Sequence, residues 1–572
     1  MNQKLENILN VSLDATEDEL RKADSLSTGY NWRDNTWEII VKYSGSLESI
    51  RNRYNVYIKE LLNYYAIIVA DKATIELISQ DYVEKPKSLY YQIERTKTAA
   101  CVGSVRADGN ILSGKGVIVG VIDTGIDIFD NAFRNSDGTT RILNIYDQTT
   151  GEKYDKQSID EYIRLNEDLS GGTFSYDNAP GVDNIMHGTD VSYIAAGSLG
   201  VAYEADIIAV KMGYSINNQF PRTTSLMDAI DYIIRKAIEY RKPVAVNISY
   251  GCNYGAHNGN TLLESFIDDI SKSYRCVICV GSGNEADKAI HFGGIINTGQ
   301  VQTAYLSVGE YQSAIDIQIW KNYWDTIDVM LINPRGEQIG IITEGRINRY
   351  ETYNTEIITL LGEPSPYNIY QEIYINLIPK TDYILSGIWQ IVLMAGSIRA
   401  GEYNIWLPSS QALGYATAFN NPTADGTITI PATARNCIAV GAYNAYTNSY
   451  AAFSGRGFDN SIRNVNAGVK PDITAPGVDI SIARQRGNDI TYRNVTGTSY
   501  AVPVVTGAAA LLMQWGIVMG NDRFMYGEKL KAALIDGSKP VGLVGITRND
   551  NQPDPRTGWG AVCLKNTLNK IL

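Results

Sequence analysis

The fold and the function of the chain can be predicted outward from one stretch, Thr496-Gly497-Thr498-Ser499-Tyr500-Ala501-Val502-Pro503, which the apolar run Val504 to Met513 follows. Small and apolar residues on every side predict a tight turn into a fully buried helix. A Ser at the start of that helix lies among backbone N–H groups without intrahelical partners, where a developing oxyanion is stabilised. Pro503 lacks the N–H that would reach the Ser499 carbonyl, so the helix must begin at Thr498 or Ser499. Taken alone, the stretch fits equally well a buried helix capped by Ser or Thr.

Two further stretches contain residues that could act together with Ser499. The apolar run Val117 to Ile122 predicts a strand buried on both faces, and it ends at Asp123, at the carboxyl end where α/β sheets bind ligands. His187 opens an amphipathic helix in a chain that has only three His, so a general base is scarce. Asp123, His187 and Ser499 follow one another in the order of the subtilisin group.

The chain therefore resembles the subtilisin-like serine proteases, the subtilases. The resemblance rests on Val-Ile-Asp-Thr-Gly at Asp123, His-Gly-Thr at His187 and Gly-Thr-Ser at Ser499. Supporting motifs lie at Gly200–Asp206, Asn247–Gly251, Gly281–Asn284 and Lys470–Gly477, and the family motifs together cover roughly residues 102–295 and 425–572. Asp190 and Val504 depart from the family pattern, in which His is common at both positions, but neither position carries the chemistry.

The resemblance implies a role for each site residue. Ser499 is the expected nucleophile, His187 the general base and Asp123 the group that orients the imidazole, so activity should rise through about pH 6 to 7. Asn284 and the Ser499 N–H form the expected oxyanion hole, although an Asn in a Gly-rich turn is ordinarily only a turn residue. Two segments form the expected walls of the pocket for the residue before the scissile bond: Ser249, Tyr250 and Gly251, and Gly281, Ser282 and Gly283.

Composition limits the other classes of function. The chain has 572 residues, 44% hydrophobic and 20% charged, with a net charge of −12, which argues against a nucleic-acid or membrane partner. Six Cys are too few and too scattered for a disulfide framework, and Cys276 and Cys279 are interpreted as buried free thiols.

We expect no cofactor and no metal site, because the calcium that subtilases often bind has no specific carboxylate cluster here. The N-terminus lacks a signal-peptide pattern and no stretch reaches about 20 apolar residues, which predicts a cytoplasmic or spore-associated protein or release by a non-standard route.

The pattern along the chain predicts four segments around an α/β, doubly wound parallel sheet. Residues 1–98 comprise an N-terminal extension and a propeptide of β-α-β-β-α-β pattern, the ferredoxin-like order. Residues 99–296 and 424–572 are the two parts of the catalytic domain. Residues 297–423 show alternating segments at short spacing, which predict an inserted β-sandwich of jelly-roll type.

The propeptide, the insertion and Arg141–Thr149 resemble, more narrowly, the clostridial spore-germination (Csp) proteases. That resemblance implies a protein precursor as substrate and a cleaved propeptide that stays bound. Ser88–Gln92 has no helix signal and is predicted to be extended, so we expect self-cleavage between Ser88 and Thr98, after Gln92. The alternatives are a catalytically silent Csp-like scaffold or sensor with an uncut propeptide, and another acyl hydrolase with the same triad.

Overall fold

The chain forms two compact units, Met1–Tyr91 and Gln92–Leu572. The structure, a computed structural model, describes residues 5, 7–22, 27, 29–43, 45–54, 56–61, 65–78, 83–84, 92–103, 106–107, 110–168, 179–213, 221–342, 347–363, 368–458, 468–486, 489–542 and 553–572. The division lies before the predicted boundary at residue 98, because the helix that begins at Gln92 belongs to the larger unit.

The smaller unit is an antiparallel sheet with helices between its strands. Its helices are α1 (Asn7–Asp14), α2 (Glu17–Lys22), α3 (Glu48–Arg53) and α4 (Lys72–Ile78). Its strands are β1 (Tyr30–Asn31), β2 (Thr36–Lys42), β3 (Tyr57–Leu61), β4 (Tyr65–Ala70) and β5 (Val83–Glu84). The sheet order is β1-β2-β4-β3 with β5 paired to β2, so the predicted β-α-β-β-α-β pattern is present from β2 to β5. Thr16 and Glu19 form a capping box that starts α2, whereas α1 was not predicted.

The first part of the larger unit alternates strands and helices. Its strands are β6 (Arg106–Ala107), β7 (Asn110–Ile111), β8 (Ile118–Asp123), β9 (Ile142–Asp147), β10 (Glu152–Asp155), β11 (Asp206–Lys211), β12 (Val244–Ile248) and β13 (Cys276–Gly281). Its helices are α5 (Gln92–Ala99), α6 (Lys156–Asp168), α7 (His187–Ala196), α8 (Thr223–Tyr240) and α9 (Leu262–Ser273). Strand β8 is buried along its whole length, as its unbroken apolar run predicts.

Two antiparallel sheets with an apolar core of their own follow. The strands are β14 (His291–Ile295), β15 (Val301–Val308), β16 (Ile315–Asn322), β17 (Ile327–Ile332), β18 (Gln338–Ile339), β19 (Ile347–Glu351), β20 (Thr355–Leu361), β21 (Tyr370–Pro379), β22 (Gly387–Ala395), β23 (Glu402–Trp406) and β24 (Ala418–Phe419). Their orders are β14-β23-β16-β21-β20-β19 and β18-β17-β22-β15-β24. The predicted inserted sandwich is therefore present, its jelly-roll class stays a prediction, and it begins at β14 rather than at residue 297.

The chain then returns to the parallel sheet and ends in helices. The remaining strands are β25 (Ile438–Asn444), β26 (Ser449–Tyr450), β27 (Ile473–Pro476), β28 (Ile480–Arg486) and β29 (Asp489–Val495), and the helices are α10 (Thr498–Met513), α11 (Gly527–Asp536) and α12 (Leu564–Ile571). The main sheet has the order β10-β9-β11-β8-β12-β13-β25-β26, with β27 paired to β25. Strands β9, β11, β8, β12, β13, β25 and β27 run parallel, so the α/β prediction is confirmed.

Helix α10 lies in the middle of the larger unit. Fourteen of its residues, Pro503 among them, are buried, and the helix begins at Thr498 as Pro503 requires. With the π-helical turn after it, Thr498–Val518 is the one helix in the described ranges that is long and apolar enough to span a membrane, at 21 residues. The expectation that no stretch reaches this length was therefore wrong, but 89% of its apolar window is buried inside the protein.

The cysteines differ in part from the prediction. Cys101 and Cys563 form a disulfide across 462 residues of sequence, which joins the segment after α5 to the start of α12. Cys276 and Cys279 are buried free thiols, as predicted, and burial raises the pKa of each to about 12. A single bridge between distant segments has no local spacing signal, which is why the sequence did not reveal it.

Candidate active site

The carboxyl end of β8 and the first turn of α7 bring Asp123 and His187 together. Asp123 Oδ1 lies 2.6 Å from His187 Nδ1 and accepts a second hydrogen bond, of 2.8 Å, from the Thr124 N–H. Gly188 allows this approach, because a Cβ there would lie 2.3 Å from the Gly125 carbonyl oxygen and 2.9 Å from Asp123 Cβ. The Gly of the His-Gly-Thr motif is thus required by the packing of the helix on the strand end.

Asp183, which was not predicted as a site residue, holds the end of β8 and the start of α7 together. Its buried carboxylate accepts hydrogen bonds from the Thr124 hydroxyl (2.8 Å) and from the N–H of Met186 (2.8 Å) and of Thr189 (2.8 Å). Asp183 therefore caps α7 and ties it to the residue after Asp123. Its position four residues before His187 is the only sequence signal, and it is weak.

Ser499 is the second residue of α10, so its backbone N–H is one of the first four that have no intrahelical acceptor. Its carbonyl loses the usual helical partner because Pro503 has no N–H, and the Ser249 hydroxyl donates to that carbonyl at 3.4 Å instead. Ser499 and His187 line the same cleft, of about 540 Å³. Within the described ranges no hydrogen bond joins the Ser499 hydroxyl to the imidazole, and such bonds commonly tighten only when substrate is present.

Asn284 lies at the same cleft with its amide in a defined orientation. Its Oδ1 accepts hydrogen bonds from the Thr498 N–H (2.9 Å) and from the Thr498 hydroxyl (3.0 Å). Because a backbone N–H can only donate, the oxygen must face Thr498, and the amide nitrogen is left to donate elsewhere. The Asn284 amide nitrogen and the Ser499 N–H at the start of α10 are therefore two N–H donors at the same cleft, and their role as an oxyanion hole stays a prediction.

The two predicted wall segments lie beside these residues, with one exception. Ser249, Tyr250, Gly251, Gly281 and Gly283 all line the cleft. The Ser282 side chain does not, because it is fully buried and its hydroxyl lies 3.3 Å from the Ser454 hydroxyl, so the prediction was wrong for that side chain. The Tyr250 hydroxyl donates to the Gly213 carbonyl at 2.6 Å, which holds this wall in place.

Thr429, from the segment after the insertion, fills the space between the two walls. A Cβ on Gly251 would lie 2.5 Å from Thr429 Oγ1, and a Cβ on Gly283 would lie 2.5 Å from Thr429 Cγ2. Both glycines are therefore needed to admit the Thr429 side chain. Thr429 also lines the cleft, and no sequence pattern marked it.

The inserted domain also reaches the cleft. Ser409, Ser410 and Gln411 line it, and the Glu285 carboxylate accepts hydrogen bonds from the Ser410 N–H (3.1 Å) and hydroxyl (3.2 Å). Burial raises the pKa of Glu285. Because Glu285 follows Asn284 directly, the insertion is anchored beside the predicted oxyanion hole.

Opposing effects set the protonation of His187. Burial lowers its pKa, but the Asp123 carboxylate, through its charge and its hydrogen bond, and the charge of Asp183 outweigh burial, so the pKa is raised. Its side chain keeps 26% exposure, toward the cleft. The Tyr500 ring packs against the imidazole at 5.3 Å between centroids, a contact that the sequence reading missed.

Gln92, the predicted cleavage point, is the first residue of α5. The extended conformation expected there was wrong for Gln92, and the rest of the predicted segment, residues 88–91, lies outside the described residues. Among the residues that the structure describes, no group of three or more His, Cys, Asp or Glu is arranged to hold a metal ion.

Comparison with known proteins identifies the family of the chain. The family model described as "Subtilase family" matches residues 114–364 and 400–560, which is more than half of the chain. The chain belongs to the subtilase family of serine peptidases. A second model, the Csp protease B prodomain, matches residues 3–87, so the smaller unit of this subtilase is a prodomain.

Individual relatives place the chain in a narrower group within the subtilase family. The solved structure of the Clostridium perfringens CspB protease is 34% identical, with a TM-score of 0.75, over 83% of this chain and 96% of that chain. The subtilase-type proteinase RRT12 of Saccharomyces cerevisiae is 33% identical over 128 residues, and subtilisin-like protease 10 of Arthroderma otae is 34% identical over 120 residues. These matches span 23% and 27% of the two relatives, about a quarter of each. The chain is a subtilase of the Csp type.

Proposed function

We propose that this subtilase is a serine endopeptidase in which Ser499 is the nucleophile. The observation that carries the proposal is the hydrogen bond between Asp123 and His187 at the cleft that Ser499 also lines. In this mechanism His187 accepts the Ser499 proton as the hydroxyl attacks the scissile carbonyl, and later gives it to the leaving amine. Asp123 holds Nδ1 protonated and stabilises the imidazolium ion that forms.

The oxyanion of the tetrahedral intermediate is stabilised by two donors. These are the Asn284 amide nitrogen, whose oxygen is engaged by Thr498, and the N–H of Ser499 at the positive end of the α10 dipole. Because Thr498 orients the amide before substrate binds, the donor needs little reorganisation in the transition state.

The position of Thr429, which we propose as the floor of the pocket between the two walls, indicates the class of substrate. Since the Thr429 side chain fills the space between Gly251 and Gly283, a long side chain before the scissile bond would collide with it. We therefore propose that the preferred substrate is an extended segment of a protein with a small residue, such as Ala or Ser, before the cut.

The same pocket bears on self-processing. We propose that the enzyme cleaves its own chain between Ser88 and Thr98 and that the prodomain then stays bound as an inhibitor. Gln92 is poorly suited to the shallow pocket and starts a helix, whereas substrates bind proteases as extended strands. Ser88 is small and directly follows the matched prodomain, residues 3–87, which favours a cut after Ser88.

Mass spectrometry of purified wild-type and Ser499→Ala protein tests both proposals. We expect a cut chain with peptidase activity for the wild type and an intact chain without activity for the variant. An intact, inactive wild-type protein would indicate the silent scaffold. Turnover of an ester but not of a peptide by the processed enzyme would indicate another acyl hydrolase.

A further inference from the structure

The hairpin of β28 and β29 precedes the nucleophile and carries arginines toward the histidine. Arg493 pairs in register with Ile482, and Arg484 lies two residues further along that strand. Because side chains alternate across a strand, Arg484 and Arg493 project from the same face of the hairpin. Strand β29 ends at Val495, four residues before Ser499.

Both arginines contact α7 on each side of His187. Arg484 Nε donates to Asp190 Oδ1 at 2.9 Å, and Arg493 forms an ion pair with Asp190 Oδ2. The carbonyl of Met186, the residue before His187, accepts hydrogen bonds from Arg484 (3.0 Å) and Arg493 (3.2 Å). Asp190 is 0% exposed, so its charge is compensated by these two guanidinium groups.

These contacts determine the orientation of the peptide that carries His187. Met186 adopts a left-handed conformation (φ 64°), its N–H donates to Asp183, and its carbonyl receives the two arginines. Because the peptide unit is planar, holding the Met186 carbonyl also holds the His187 nitrogen, and the hydrogen bond to Asp123 then orients the ring.

We propose that Arg484, Arg493 and Asp190 are positioning residues that place His187 relative to Ser499. The arginines and the nucleophile belong to one continuous segment, β28–β29–α10, and Asp190 belongs to the helix of His187. The Asp190 position, where subtilases commonly have a second His, is thus explained by the two arginines that it pairs with. The proposal rests on the proposed function of His187 and Ser499.

Charge and geometry make separate contributions that an experiment can resolve. The groups that face His187 are the carboxylates of Asp123 and Asp183, the guanidinium of Arg493 and the ring of Tyr500. The positive charge of Arg493 lowers the pKa of His187 against the two carboxylates. Arg493→Gln removes the charge and the paired contacts, whereas Arg493→Lys keeps the charge but cannot bind two acceptors as a fork.

The first measurement is an NMR titration of the His187 ring in the Ser499→Ala background, which needs no activity. With only three His in the chain, and His257 and His291 buried, the signal is readily assigned by a His187→Gln variant. We expect Arg493→Gln to raise the His187 midpoint and Arg493→Lys to leave it unchanged. The matched control is Arg235→Gln on α8, which removes an equal positive charge. The Arg235 side chain is 75% exposed, so this variant should leave the His187 midpoint unchanged.

The second measurement is kcat and KM per active site, titrated with a fluorophosphonate in the otherwise wild-type protein. Because a misplacement of about 1 Å costs up to ~100-fold, we expect kcat to fall at least tenfold in Arg484→Gln and Arg493→Gln with KM within about threefold. Arg493→Lys should show a partial loss of kcat at an unchanged midpoint. If the Gln variants do not fold, kcat of the Arg493→Lys protein alone tests the proposal.

Folded Gln variants with kcat within twofold of wild type would overturn the proposal whatever their His187 midpoint, because kcat reports the position of the ring and the midpoint reports the charge of Arg493. A fully active Arg493→Lys protein with Arg493→Gln unfolded would overturn it as well. If the wild-type enzyme shows no turnover, the proposed function fails; the NMR titration needs no turnover, and an unshifted midpoint in Arg493→Gln would then overturn the placement of Arg493 beside His187.

Discussion

Replacing Thr429 by Gly should widen the substrate preference of this enzyme toward larger side chains. The substitution removes Cβ, Oγ1 and Cγ2, the atoms that lie between Gly251 and Gly283. The backbone should stay in place, because the Thr429 N–H donates to the Ser282 carbonyl at 3.1 Å and this bond does not involve the side chain.

The expected magnitude follows from the size of the space created. Accommodating one additional methylene in such a pocket changes kcat/KM by about 10–200-fold, which corresponds to ~1–3 kcal/mol. We therefore expect the ratio of kcat/KM for a substrate with 2-aminobutyrate before the scissile bond to that with Ala to rise at least ~10-fold in Thr429→Gly.

The assay is cleavage of matched fluorogenic peptides with Ala, 2-aminobutyrate and norvaline at that position. Thr429→Val is the control, since it keeps the shape of the side chain and exchanges only the hydroxyl for a methyl group. Its preference for small residues should stay that of the wild type, which separates pocket size from hydrogen bonding.

A Thr429→Gly enzyme whose selectivity stays within twofold of wild type would show that Thr429 does not form the floor. A wild-type enzyme that already prefers norvaline to Ala would refute the same reasoning directly, and with it the expectation of a cut after Ser88.

Four further results are expected. Ser499→Ala should lower kcat by about 10⁶, the loss known from subtilisin, and residual activity within tenfold of wild type would exclude Ser499 as nucleophile. Asn284→Ala should lower kcat by about 10²–10³ with little change in KM, again as in subtilisin. Asn284→Asp keeps the acceptor for the Thr498 N–H, so it should lose at least as much activity with less loss of stability. Because Asp123 raises the pKa of His187 and the base must be neutral, the acid limb of kcat/KM should have its midpoint above the ordinary value of about 6.5, and a midpoint below 6 would contradict this environment. Cys101→Ser should reduce the free energy of unfolding by about 2–4 kcal/mol in chemical denaturation, and an unchanged midpoint would mean that the bridge to Cys563 does not form.

The chain order of the candidate site residues and the class of the fold could be predicted from local sequence patterns. The buried strand ending at Asp123, the helix opening at His187 and the apolar helix after Ser499 are each encoded within about ten consecutive residues. Local apolar runs and turn residues specify such elements without reference to distant segments. The prodomain pattern and several strands of the insertion were predictable for the same reason.

The distant residues that complete the site became visible in the folded protein and could not be predicted from the sequence. Thr429 lies more than a hundred residues from either glycine that it separates, and Arg493 lies about three hundred residues from Met186. Pairings of this kind depend on the path of the whole chain, which brings the ends of separate elements together and leaves no periodic trace in the sequence. The orientation of the Asn284 amide is another example, since it follows from a single backbone N–H at the start of α10.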